Sequence, residues 1–124
     1  MMEEYEILRN TVREFSSKEI EAVSKDIEIN GIPRSLKEKI AAQGFLGATL
    51  PAEKGGSGLD EKGYMIILEE TAKASPSVSM WIFLTNMYLK IHPDANGKQD
   101  ILSGKIDVTV DLSPYYLRSK AQPL

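Results

Sequence analysis

The stretch Ile32–Leu59, IPRSLKEKIAAQGFLGATLPAEKGGSGL, decides the fold, because it sets a helix, a stop, an apolar step and a loop in one fixed order. Pro33 suits the first turn of a helix, where its missing N–H costs nothing. Leu36 and Ile40, four residues apart, stack on one helical face. Gly44 suits the left-handed residue just past the helix end. Phe45 and Leu46 follow as apolar anchors. Gly55, Gly56 and Gly58 then make a loop that tolerates positive φ. All of this is scaffold punctuation, with no chemistry of its own.

Working outward, Tyr5, Leu8, Val12 and Phe15 fall on one stripe of an amphipathic helix, which the pattern carries to about Lys25. Downstream, Asp60 is a good N-cap for a third helix running to about Ala74, with a largely apolar centre at Tyr64–Leu68. Ser75-Pro76-Ser77 opens a fourth helix, about Ser77 to Ile91. Its apolar residues (Val78, Met80, Trp81, Ile82, Phe83, Leu84, Met87, Tyr88, Leu89, Ile91) surround almost the whole circumference. That pattern predicts a central helix or one shared with another chain. Lys98 to Ser103 can add one turn. The tail changes character: Ile106, Val108, Val110 and Leu112 alternate with Asp107, Thr109 and Asp111, the period of a half-buried strand. Gly47–Leu50 is the one short segment that could pair with it.

Composition narrows the class. The 124 residues carry 42% hydrophobic and 27% charged side chains, as an ordinary globular domain does. A net charge of −3 offers no basic face for nucleic acid. The absence of cysteine excludes disulfides and thiolate metal sites. The acidic start MMEEYEILRN lacks the apolar core of a signal peptide, and no apolar run reaches bilayer length. The expected location is cytoplasmic.

The ordered set Pro33, Gly44-Phe45-Leu46-Gly47, Pro51-Ala52-Glu53 and Gly55-Gly56-Ser57-Gly58-Leu59 resembles the N-terminal helical domain of the acyl-CoA dehydrogenases. Leu8–Phe15 resembles that family's first helix, and Leu68–Ser75 its helix after the glycine loop, with Lys73 where an Arg is common. The likeness covers roughly residues 5–90. It implies an all-α bundle of four main helices over residues 1–104. A short extended strand and tail at 105–124 would then correspond to the start of a β-domain.

The resemblance also implies FAD as cofactor and α,β-dehydrogenation of an acyl-CoA as the reaction. In the family the flavin is held mostly by the β-domain and a C-terminal helical bundle, and the bundle supplies the catalytic carboxylate. Neither region is in this sequence, so no catalytic residue is expected here, and the chain is expected to be inactive alone. By the same resemblance Leu112 and Ser113 stand at the flavin-contacting entry to the β-domain, although the Gly-Ser-Asp pattern found there is missing. Met87, Tyr88 and Ile91 stand near the acyl tail. Two functional expectations follow: a truncated or split family member completed by a complementary chain, or a non-catalytic helical module that homo-oligomerises through its apolar fourth helix.

Other residues read more plainly. His92 with Asp94 lacks the further ligands of a metal site and the nucleophile of a triad. Glu69 and Glu70 point about 100° apart on a helix and read as surface carboxylates. The glycine loop lacks the Lys-Ser/Thr of a phosphate-binding loop. Met65, Met80 and Met87 read, from the helices they sit on, as core-packing residues, and Trp81 as core or interface.

Overall fold

The computed structural model describes residues 2–108, and all of its regular structure is helical. Helix α1 spans Met2–Phe15, α2 Ser24–Asn30, α3 Arg34–Ala42, α4 Glu61–Ala74, α5 Pro76–Ile91 and α6 Lys98–Leu102. The all-α architecture expected from the sequence is the one observed.

The first helical run is longer than its stripe suggested. A wide π turn at Ser16–Ile20 and a tight 3₁₀ turn at Glu21–Val23 join α1 to α2, so the run ends at Asn30 rather than near Lys25. In a straight α-helix Ile20 would stand about 80° around the axis from Val12. The wide turn absorbs the extra residue, and Val12, Ile20 and Ile27 all reach the core. Gly31, at φ 84°, ends the run.

Pro33 takes the N-cap position of α3, and Leu36 and Ile40 are buried as their spacing predicts. Gly44 turns the chain at φ 82°, and Phe45 and Leu46 go straight into the core, where Phe45 meets Phe15 edge to face at 5.7 Å. The glycine loop folds back on this segment: Ser57, Gly58 and Leu59 N–H groups donate to the carbonyls of Gly47, Leu50 and Ala48. Gly47–Leu50 therefore has no free edge for a strand.

Helices α4 and α5 pack on each other, and α1 packs on α4. Val12, Ile20, Ile27, Leu36, Ile40, Phe45, Leu46, Ile67, Val78, Trp81 and Ile82 form one core. Each such side chain contributes about 1.5–3 kcal/mol by burial.

The strand expected from Ile106 is not formed at Ile106–Val108, and Thr109–Leu112 lie outside the described residues. Charge explains the local path. Lys37 Nζ holds Asp107 at 2.7 Å, and Arg34 reaches Asp107 and the Gly104 carbonyl, so α3 claims this segment through its polar side.

Candidate functional site

Two capped helices frame the site. Asp60 accepts from Gly63 N at 2.8 Å to start α4, and Ser75 Oγ accepts from Val78 N at 3.2 Å to start α5, with Pro76 at its head. Tyr5 OH donates to Asp60. That bond, and next the Gly63 N–H, holds the Asp60 carboxyl below the usual range.

Helix α5 is two-sided, so of the two expectations for it the wholly central helix is not the one observed. Val78, Trp81, Ile82, Thr85, Asn86 and Leu89 face the core. Met80, Phe83, Met87 and Ile91 are exposed by 56%, 41%, 39% and 64%, and their spacing puts them on one continuous face. An aligned stripe of large apolar side chains marks a surface that meets something.

Alongside that stripe runs a cleft with two adjoining compartments. The larger, about 590 Å³, lies between the loop Thr49–Lys54, the start of α4 and the end of α5; Leu50, Pro51, Leu59, Leu89 and Pro93 give it an apolar lining. The smaller, about 230 Å³, is lined by Tyr64, Phe83 and Met87. Thr49, Glu61, Asn86 and Lys90 line both.

Asn86 is the fixed point. Its Nδ2 donates to the carbonyls of Phe45 at 2.8 Å and Ile82 at 2.9 Å, and its Oδ1 accepts from Ala48 N at 2.8 Å. The charged groups around it are looser. Lys90 Nζ stands 3.7 Å from Glu61, and in the larger compartment Lys54 Nζ stands 3.0 Å from Asp94, which it holds below the usual carboxylate range. Burial, and then Glu61, pushes the Tyr64 phenol up to about 12, so it stays neutral and can donate.

Of the residues singled out in the sequence, Met87 lines the smaller compartment. Tyr88 turns to His92, ring centres 4.9 Å apart, and Ile91 stands at the exposed end of the stripe. Leu112 and Ser113 lie outside the described residues. Asp94 serves Lys54, and no cluster of three or more His, Cys, Asp or Glu suited to a metal occurs among the described residues. The sequence reading passed over Asn86, Phe83, Lys90 and Thr49 as site residues. A lone Asn inside an apolar helix was the available signal for the first of them.

Glu70 is the other correction. It is 2% exposed, not a surface carboxylate. Arg13 holds it at 3.1 Å, Arg9 at 2.6 Å and Lys73 at 3.1 Å. The Arg13 bond leads in lowering its carboxyl to about 2. Buried polar atoms without a hydrogen-bond partner are Ser16 Oγ and Trp81 Nε1 among the described residues. Neither lines the two compartments.

No described helix is long and apolar enough to cross a membrane. Residues 2–101 match the family model for the acyl-CoA dehydrogenase N-terminal domain. The chain is similar to a 3-(aryl)acrylate reductase of Clostridium sporogenes, 32% identical over 88 residues, 70% of this chain and 23% of that protein. It is similar to the caffeyl-CoA reductase-Etf complex subunit CarC of Acetobacterium woodii, 33% identical over 68% of this chain and 23% of the relative. The mouse mitochondrial short-chain specific acyl-CoA dehydrogenase is 32% identical over 70% of this chain and 22% of its own length. The chain thus spans less than a quarter of these relatives. A helical fold opened by α1, with its glycine loop folded back on Gly47–Leu50 and a family match over residues 2–101, makes this chain a member of the acyl-CoA dehydrogenase family through that family's N-terminal domain.

Proposed function

We propose that this chain supplies the acyl-facing wall of an acyl-CoA-transforming flavoenzyme, and that a complementary β-domain and helical bundle supply the flavin grip and the catalytic carboxylate. The observation that carries the reading is the exposed Met80–Phe83–Met87–Ile91 face with its adjoining cleft, in a domain of this family. Such a face gives an acyl chain apolar contact, and Tyr64 offers a neutral donor at its edge. Residues 1–104 would form the helical domain, and 105–124 would lead towards the flavin, with Leu112 and Ser113 beside it. FAD, when bound, supplies the electron acceptor for α,β-dehydrogenation; the described residues orient the chain and keep water from it.

The test is co-expression with a β-domain and helical bundle lacking this N-terminal part. The expected outcome is a yellow complex that reduces dye with an acyl-CoA, while this chain purified alone is colourless and inactive. A yellow, active chain on its own overturns the division of labour, and a complex that neither binds flavin nor turns over overturns the catalytic reading.

The same exposed stripe favours a second reading, a helical module that self-associates through α5. Sedimentation at high micromolar concentration separates the two: a strict monomer sinks the second reading.

A further inference from the structure

We infer that the Glu61–Lys90 ion pair is a movable partition that sets how far an acyl chain reaches along the cleft. The inference rests on the acyl-binding reading above and adds to it a chain-length filter.

Four residues line both compartments, and they differ in how freely they can move. Asn86 is tied by three hydrogen bonds to the α3–α4 connection and to its own helix, so it stays where it is. Thr49 is short. Glu61 and Lys90 are long, 77% and 71% exposed at the side chain, and meet each other at 3.7 Å. They come from facing helix ends, the start of α4 and the end of α5. A pair this exposed is weakly held and screened by salt, so a guest can displace it at little cost.

The two volumes give the pair its meaning. Cavities that bury a whole small ligand run from about 300 to 1,000 Å³. The Phe83–Met87 compartment, about 230 Å³, falls short of that range and suits a short acyl group. The compartment of Leu50, Leu59 and Leu89, about 590 Å³, suits a longer tail, and the pair lines the boundary between them.

Charge defines the guest. Lys54 is engaged by Asp94, Lys90 by Glu61, and Asp60 by Tyr5 and Gly63. With each of these charged groups already matched, the larger compartment favours an uncharged hydrocarbon end over a phosphate or carboxylate.

The experiment measures binding of butyryl-CoA and dodecanoyl-CoA by calorimetry to this chain assembled with the complementary β-domain and helical bundle, with Met and Leu methyl signals of this chain followed by NMR. The nucleotide part is common to both, so the affinity ratio reports the chain. Butyryl-CoA should move Met87 alone, whereas dodecanoyl-CoA should also move Leu50 and Leu89. Lys90→Met should raise the dodecanoyl-to-butyryl affinity ratio by about two- to fivefold, the scale of an exposed ion pair. Glu61→Gln should shift it the same way without adding apolar surface. Raising salt should raise the ratio in the wild type and do so less in either variant. Binding of both ligands with an unchanged ratio in both variants, or Leu89 shifts alike for both ligands, overturns the partition alone. Failure of the wild type to bind either ligand overturns the acyl-binding reading, and the partition with it.

Discussion

Asn86 fastens the connection after α3 to the middle of α5, with partners 38 and 41 residues away in sequence. Asn86→Ala would strand the Phe45 carbonyl and the Ala48 N–H in the interior. At about 1–3 kcal/mol per stranded group, the loss should be roughly 2–6 kcal/mol in urea unfolding. Asn86→Asp should do no better, because a carboxylate cannot donate to two carbonyls. Gly56 sets a similar constraint by its bareness: a Cβ there would stand 2.0 Å from the Leu50 carbonyl oxygen. Gly56→Ala should therefore cost several times what the same change costs at Gly58, whose nearest neighbour is 3.9 Å away, although Gly58 carries its own positive φ. Equal melting temperatures for the two variants would refute that contrast. Single residues are where the sequence said least. Asn86 and Glu70 take their roles from groups dozens of positions away, which local periodicity cannot report.

The elements were far more legible, because their ends are written locally. Asp60 and Ser75 cap α4 and α5 as their residue types promise, and Gly44 turns left-handed where α3 stops. Ser75→Ala should destabilise by about 1 kcal/mol, visible in thermal melting, because the Val78 N–H loses its acceptor. What escaped the pattern was the π turn at Ser16–Ile20, a one-residue insertion that has no composition of its own. The two-sidedness of α5 escaped for the opposite reason: apolar residues on every side hide which side meets the core. Of the residues that the resemblance sets near the acyl tail, Met87 lines the smaller compartment, and the Tyr88 ring lies against His92.

Across the whole molecule, Glu70 ties α1 to α4 through Arg9 and Arg13. Its carboxyl, about 2 in the folded chain against an ordinary 4.5, binds its proton less readily folded than unfolded. The stability this confers is complete above about 4.5 and drains away as pH falls towards about 2. Asp60, Asp94 and Asp107 are lowered too and contribute in the same direction. Melting temperature should therefore fall steeply across that acid window. Glu70→Gln should start lower at neutral pH and fall less steeply on acidification. A variant as acid-sensitive as the wild type would show that the clamp is not the cause.

The clamp also dictates how far α1 tolerates trimming from its N-terminal side. A product begun after Arg13 keeps the inward-facing carboxylate of Glu70 and leaves it Lys73 alone, a side chain 61% in solvent, as its counter-ion. Deletion mapping should meet a cliff between Arg9 and Arg13, where the core residue Val12 is lost together with the clamp, even though neither arginine borders the cleft.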